Sequence, residues 1–235
     1  MNLMVTVPLD TARDFRILVA EDALNKLEDI IKYHRLNLPI NWNRVYNIIR
    51  ETKSCLLKIK YSYLPSKNLS KTNEIKNLQN YSIELARHLL DKQLIQKFRP
   101  DPYNLAIVRY CLRIIYGLKY RLMLSDDNKP FYAIDIEGVK IVNVYRHPRA
   151  EKLYITKAEG LFPYTIITNI ETIRKGEVRA AAILPPLIIR GELSEAMYCS
   201  DPIPAKYKGK RPPEKLINTS EINSIIYTIV SRIQK

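Results

Sequence analysis

Residues 131–160 read FYAIDIEGVKIVNVYRHPRAEKLYITKAEG, and this stretch decides how the second half of the chain folds. Its β-branched and aromatic residues alternate with polar ones in short runs, which is typical of strands with one buried face. Gly138, Gly160, Pro163 and Gly176 separate several of these runs. The predicted strands are 131–136, 139–145, 153–158, 164–168 and 178–184. Five strands of this length favour a small β-barrel.

The residues before this stretch follow a helical pattern, with apolar side chains at three- and four-residue steps as far as Met123. Four helices are predicted, each preceded by a residue that can accept a hydrogen bond from the first turn. These capping residues are Asp10 or Thr11, Asn41, Thr72 and Asp101. The first helix ends before Pro39, and the third carries Ile95 and Phe98 on its apolar face as far as Arg99-Pro100. The pattern therefore predicts a helical bundle.

A turn cluster at Asp126-Asp127-Asn128 separates the two patterns. We expect a helical domain over 1–125, a barrel domain over 126–205, and a basic connector with a C-terminal helix over 206–235. Thr219 or Ser220 can cap that last helix. A short extended piece is expected before Asp10. The fold class predicted from these elements is α+β.

Several classes of protein are disfavoured by composition. The longest apolar stretch, 105–124, is interrupted by four basic residues, so no membrane span is expected. Residues 1–10 lack the basic and apolar regions of a secretory signal, and we expect a cytoplasmic protein. Cys55, Cys111 and Cys199 lie far apart in sequence, which predicts reduced, mostly buried thiols and no metal site.

The positive charge of the chain is unevenly distributed. The formal net charge is +14, which favours a polyanionic partner. Residues 32–99 hold fourteen Lys/Arg and four Asp/Glu, a surplus of ten, whereas residues 131–199 hold nine and eight. The helical half is also rich in aromatic side chains among its cations, including Tyr33, Trp42, Tyr46, Tyr61, Tyr63 and Tyr81. These aromatics suit either stacking on unpaired bases or ordinary core packing.

Three motifs in the second half indicate a family. They are YRHPRAEKLY at 145–154, the pair Thr168-Asn169, and RKGEVRAAAILPPLIIRGELSEAM at 174–197. In this order they resemble the tRNA-binding domain of the endothelial monocyte-activating polypeptide type, an OB-type barrel found also at the end of methionyl-tRNA synthetases. A helical half followed by such a barrel is similar to archaeal predicted RNA-binding proteins. The resemblance implies a five-stranded OB-type barrel and an RNA-binding role.

The sequence departs from that family's pattern at three positions. Pro185 and Ile188 stand where general tRNA binders often have basic residues, and Ala196 replaces a common glycine. The apolar run Leu187-Ile188-Ile189 therefore occupies a place that is usually basic. Such a run favours a protein-docking loop as the alternative to RNA binding.

The candidate RNA-binding residues fall in four groups, each with a structural alternative. The first group, Arg146, Arg149 and Lys152, flanks a turn and would either hold phosphates or belong to a solvated turn. Asn169 would either bond a base edge or stabilise an Asx turn. Arg190 and Ser194 match the family motif or belong to an exposed closing loop. Lys206, Lys208, Lys210 and Arg211 would form a mobile basic arm or a plain linker. His147 would stack on a base or form a turn, the latter being favoured by the family pattern.

The function predicted from these residues is the binding of tRNA or another structured RNA, without catalysis. No phosphate-binding loop, nucleophile motif or metal-ligand spacing is present in the sequence, and no cofactor is expected. The alternative is a protein-interaction module that docks a translation partner such as an aminoacyl-tRNA synthetase, or a second copy of the chain. RNA, a synthetase and a homodimer are therefore the expected partners.

Overall fold

The computed structural model of the protein describes residues 10–233. The extended piece expected before Asp10 lies outside the described residues. Two compact units are formed: the first from residues 10–100, 111–133 and 226–233, and the second from Asp101–Tyr110 and Ile134–Ile225. The first unit is helical and the second contains a curled five-stranded sheet, so the α+β class is confirmed. The predicted divisions at 125 and 205 stay predictions.

Seven α-helices are present in the described residues. They are α1 Phe15–Lys32, α2 Trp42–Lys60, α3 Ser66–Leu69, α4 Asn73–Leu89, α5 Lys92–Phe98, α6 Pro102–Leu122 and α7 Ser220–Ser231. In the first unit α2 packs between α1 and α4. The buried faces of these three helices carry aliphatic side chains at helical spacing, such as Leu24, Leu27, Ile49 and Leu78.

Local capping explains where most helices begin. The side chains of Asn41 and Asp101 accept hydrogen bonds from the N–H groups of Arg44 at 3.0 Å and Asn104 at 2.8 Å, as predicted. Asp10 caps only a short 3₁₀ turn, Thr11–Arg13. The cap of α1 is Asp14, because its carboxylate accepts the N–H of Arg16 at 2.8 Å.

The third predicted helix is divided in two. Thr72 caps α4 as predicted, but α4 ends at Leu89 and Asp91 caps a separate short helix, α5, by accepting the N–H of Leu94 at 2.9 Å. Asp favours caps over helix interiors because its short side chain competes for backbone donors. The continuous apolar face predicted as far as Phe98 is therefore wrong, and α5 buries no residue.

A buried ion pair lies at the start of α1. Arg16 is fully buried and contacts the carboxylate of Asp14 through Nε at 2.9 Å and Nη2 at 2.5 Å. The same guanidinium donates to the carbonyl of Ser125 at 2.6 Å and the hydroxyl of Ser66 at 2.8 Å. Its partners thus join three chain segments of the first unit, and a charge that is costly to bury is satisfied by them.

The sheet of the second unit is antiparallel throughout. Its strands are β1 Ile136–Arg146, β2 Tyr154–Glu159, β3 Pro163–Thr168, β4 Val178–Ala182 and β7 Met197–Tyr198, in the order β3-β2-β1-β4-β7. A separate hairpin consists of β5 Leu187–Ile189 and β6 Glu192–Ser194. The long β1 pairs with β2 on one edge and β4 on the other, with an irregularity between Ile141 and Asn143. This break in register allows one strand to curve across the sheet.

The strand predictions need two corrections. The segment 131–136 is mainly a 3₁₀ turn, Pro130–Ala133, because Pro130 favours a tight turn and the strand begins only at Ile136. Gly138 lies inside β1 and does not separate two strands. Sequence reasoning also missed β5, β6 and β7, which are two or three residues long and lack visible alternation.

No helix in the part of the chain that the structure describes is long and apolar enough to cross a membrane. The three cysteines are free and buried, in agreement with the expected thiols. Among residues 10–233 no group of three or more His, Cys, Asp or Glu side chains could hold a metal ion.

Candidate nucleic-acid interface

The ends of three strands meet at one end of the sheet. Arg146, the last residue of β1, pairs with Tyr154 at the start of β2, and Tyr154 pairs with Thr168 at the end of β3. Asn169 follows directly, and the turn 147–153 joins β1 to β2. Four of the predicted residues, including Arg149 and Lys152 of that turn, are therefore carried by this end of the sheet.

The turn 147–153 is built around a buried histidine. The N–H of His147 donates to the carbonyl of Leu153 at 2.9 Å, and Nδ1 accepts the N–H of Arg149 at 3.0 Å. Since Nδ1 is an acceptor, Nε2 carries the hydrogen and donates to the carbonyl of Ile189 at 3.3 Å. His147 is buried, so it forms the turn and is not available for base stacking.

The same contact brings the β5–β6 hairpin to this end of the sheet. Its two-residue turn is Arg190-Gly191, with φ of 52° and 92°, and Ile189 pairs with Glu192 across it. Positive φ at both positions is the type I′ geometry that suits the twist of a hairpin. A Cβ atom at Gly191 would lie 2.9 Å from Nη1 of Arg149, so the guanidinium of Arg149 packs against the turn that carries Arg190.

We use the term basic rim for Arg146, Arg149, Lys152 and Arg190. All four side chains are exposed. Within residues 10–233 none of them forms an ion pair with a carboxylate, whereas Arg179 pairs with Glu177 at 2.8 Å. No carboxylate of the described residues therefore neutralises the charge of the basic rim.

Asn169 is exposed beside the basic rim. The turn after β3 is stabilised by Thr168, whose hydroxyl accepts the N–H of Ile170 at 3.2 Å. Among the described residues Asn169 makes no side-chain hydrogen bond. The amide of Asn169 is thus available to a ligand, and the hydroxyl of Thr168 stabilises the turn in place of the Asx turn considered for Asn169.

Ser194 does not reach the surface. It is buried on β6, where its hydroxyl accepts the N–H of Ile167 at 3.1 Å and donates to the carbonyl of Ala196 at 3.2 Å. These bonds hold β6 against β3, and the N–H of Glu195 adds a bond to the carbonyl of Thr165 at 2.9 Å. Ser194 therefore positions the hairpin and cannot contact a ligand directly in this conformation.

The basic segment Lys206, Lys208, Lys210 and Arg211 is neither a mobile arm nor a plain linker. The N–H of Gly138 donates to the carbonyl of Lys210 at 2.9 Å, and the N–H of Gly209 donates to the carbonyl of Gly138 at 2.8 Å. A Cβ atom at Gly138 would lie 2.3 Å from the carbonyl oxygen of Tyr207, which explains why this close approach requires glycine. The segment is hydrogen-bonded to Gly138 near the start of β1, whereas the basic rim begins at the last residue of β1, Arg146.

The charges of this segment are partly used within the second unit. Lys208 pairs with Glu159 at 3.2 Å, and Nη1 of Arg211 donates to the carbonyl of Ile134 at 3.2 Å. Lys206 and Lys210 have exposed side chains. This segment therefore contributes fewer available cations than its composition indicated.

An apolar surface adjoins the basic rim on β5. Leu187 and Ile188 are 60% and 52% exposed. Both belong to the hairpin whose turn carries Arg190. Apolar surface in contact with water costs free energy, about 25 cal/mol per Å², and a partner that covers it would recover that free energy. The run singled out in the sequence as unusually apolar is thus at the surface.

Sequence reasoning missed Tyr145 as a candidate. It is 53% exposed and lies on β1 next to Arg146. An exposed aromatic side chain beside a cation can stack on a base. That pattern is visible in the sequence, and only its exposure required the structure.

The sheet contains a small cluster of buried polar side chains. The hydroxyl of Thr156 donates to the carbonyl of Ile166 at 2.8 Å and accepts from the hydroxyl of Tyr198 at 2.8 Å. Burial raises the pKa of Tyr198 to about 12 and the pKa of the adjacent Cys199 thiol to about 12. Both groups remain protonated and structural near neutral pH.

Comparison with known proteins bears on the first half of the chain. A family model described as an alpha helical domain matches residues 8–125, half of the chain, and the protein belongs to this family. No curated protein matches the chain. The matched residues cover the helices from α1 to α6 and lie outside the sheet that carries the basic rim.

Proposed function

We propose that this protein binds tRNA or another structured RNA through the basic rim, without catalysing a reaction. One observation carries the proposal: four exposed cations, none of them ion-paired within residues 10–233, lie at the end of β1 and on two turns that a buried histidine joins. The curved β1, paired on both edges, supports the OB-type assignment of the sheet and its resemblance to tRNA-binding domains. We also propose a cytoplasmic location, where tRNA takes part in translation.

Phosphate contacts supply the affinity in this proposal. Each cation that neutralises a phosphate releases condensed counterions, so four contacts give a slope of log K against log salt of about −3 to −4. Such contacts position the RNA but carry no sequence information. Asn169 and Tyr145 would add contacts to an unpaired base at the same end of the sheet.

The test is a salt titration of tRNA binding by the full chain. We expect the double variant R149Q/R190Q to bind tRNA more weakly. The slope of log K against log salt should become less steep by about two, because two phosphate contacts are lost. The matched control is K140Q/K157Q, which removes two charges from exposed positions on β1 and β2. Equal slopes in the two double variants, or no tRNA binding at low salt, would overturn the proposal.

The second candidate function is protein docking through the exposed apolar side chains of β5. Its partner would be an aminoacyl-tRNA synthetase or a second copy of this chain. The observation in its favour is the exposure of Leu187 and Ile188 beside the rim. If RNase-treated protein keeps a stoichiometric protein partner, L187S/I188S releases that partner, and no RNA affinity is found, this function replaces the first.

A further inference from the structure

The α1–α2 connection in the first unit carries an aromatic and basic surface that the proposed interface does not use. We propose that this surface, formed by Tyr33, His34 and Trp42 with Lys32 and Arg35, binds a single-stranded RNA segment by stacking. It shares the ligand class of the proposed function but none of its residues. The two proposals can therefore fail separately.

The backbone of this connection holds His34 in an unusual conformation. Helix α1 ends in a Schellman motif, since the N–H of Arg35 bonds the carbonyl of Ile30 at 2.9 Å and the N–H of His34 bonds that of Ile31 at 3.1 Å. His34 occupies the left-handed position with φ of 49°, where glycine is the usual residue. Glycine could therefore replace His34 without backbone strain.

The imidazole of His34 stacks on the indole of Trp42. Their ring centroids are 4.5 Å apart and the planes are inclined by 21°. Asn41 caps α2 and places Trp42 in its first turn, while the buried Leu36 and Leu38 anchor the connection. The stack is therefore presented on a fixed support, and His34 is exposed. A base that stacks on the imidazole extends the column that Trp42 begins.

Cations lie beside the aromatic rings. Tyr33 is 59% exposed, and Nζ of Lys32 and Cζ of Arg35 lie 5.4 Å and 5.3 Å from its ring centroid. Residues 30–50 carry four Lys/Arg and no Asp or Glu, and one of these cations, Arg44, pairs with Glu84 of α4 at 2.9 Å. Proteins hold unpaired nucleotides by two features, aromatic faces that stack on the bases and cations that attract the phosphates.

Trp42 supplies a direct measurement, because it is the single tryptophan of the chain. We expect oligouridylate to quench its fluorescence in the full chain, and inorganic polyphosphate of similar charge to leave it unchanged. Polyphosphate offers the same anions without bases. Equal quenching by both ligands, or none by oligouridylate, overturns the proposal.

Two variants and one control complete the test. Y33A and H34G should each weaken oligouridylate binding about tenfold, within the range for loss of one stacked base. H34G places glycine where the Schellman motif prefers it, so its thermal unfolding midpoint should not fall. The control is Y61A. Tyr61 is 52% exposed and lies beside Lys60 at the other end of α2, outside the proposed surface, so Y61A should bind oligouridylate as the unmodified chain does.

The variants also separate this surface from the basic rim. R149Q/R190Q should leave quenching of Trp42 by oligouridylate unchanged while it alters the salt slope for tRNA. If Y33A and H34G bind oligouridylate as tightly as the unmodified chain does, the proposed stacking surface is wrong. The proposal for the basic rim is unaffected by that result. A partner protein retained by the chain and released by Y33A, without any quenching by RNA, would assign the surface to protein recognition.

Discussion

Nε2 of His147 lies 3.3 Å from the carbonyl oxygen of Ile189, and this contact joins the β1–β2 turn to the β5–β6 hairpin. The two turns carry Arg149 and Arg190, which are forty-one positions apart in the chain. A buried side chain, itself inaccessible to a ligand, therefore sets the spacing of two candidate phosphate contacts.

Replacing this histidine should loosen both turns. In H147A the N–H of Arg149 and the carbonyl of Ile189 each lose a partly buried hydrogen bond, and such a bond contributes about 0.5–1.5 kcal/mol. Urea unfolding measures the loss. An unchanged midpoint would show that the imidazole does not support the turns.

The buried ion pair of the first unit should be far more important than its exposed neighbour. R16M leaves the carboxylate of Asp14 buried without its cation, which typically costs about 3–5 kcal/mol. The control is R13A, because the Arg13–Asp10 pair at 3.2 Å is exposed, and such pairs contribute about 0–1 kcal/mol. Similar losses in the two variants, measured by denaturant unfolding, would contradict this assignment.

The free energy of unfolding should fall at alkaline pH because the buried Tyr198 hydroxyl and Cys199 thiol must lose their protons. The folded pKa of Tyr198 is about 12 against its usual 10.0, so the folded chain keeps a proton that the unfolded chain releases. The free energy of unfolding that the protonated Tyr198 contributes is fully present below pH 10. It is lost as the pH rises toward 12, at about 1.4 kcal/mol per pH unit.

The variant Y198F tests this sign. Between about pH 8 and about pH 11 it should lose roughly 1.4 kcal/mol less stability than the unmodified chain, as measured by denaturant unfolding. Cys199, raised from 9.0 to about 12, still titrates in Y198F and leaves a residual loss. Y227F changes an exposed tyrosine and should match the unmodified chain.

Gly138 should control the order of the basic segment. An alanine Cβ there would approach the carbonyl oxygen of Tyr207 to 2.3 Å, so G138A must displace the segment that β1 holds. We expect faster tryptic cleavage after Lys206, Lys208 and Lys210. K140A, an exposed change on the same strand, serves as control, and equal cleavage rates in both variants would contradict the predicted displacement.

Helix starts were predictable because capping is local. The hydrogen bonds of Asn41, Thr72 and Asp101 each span three residues, so the sequence contains all of their participants. The break at Asp91 follows the same rule, and an acid in the middle of the apolar pattern was the available signal. The strands β5 to β7 had no such signal, because their pairing partners lie elsewhere in the chain and each strand is too short to show a period.

Sequence alone determined the α+β class, the helical first half and the candidate cations, because periodicity, caps and charge belong to neighbouring residues. Tertiary structure alone decided which cations are available. Arg149 and Arg190 share one end of the sheet, Ser194 is buried, and Lys208 is paired with Glu159. Burial and pairing across long sequence separations result from packing, and no local pattern records them.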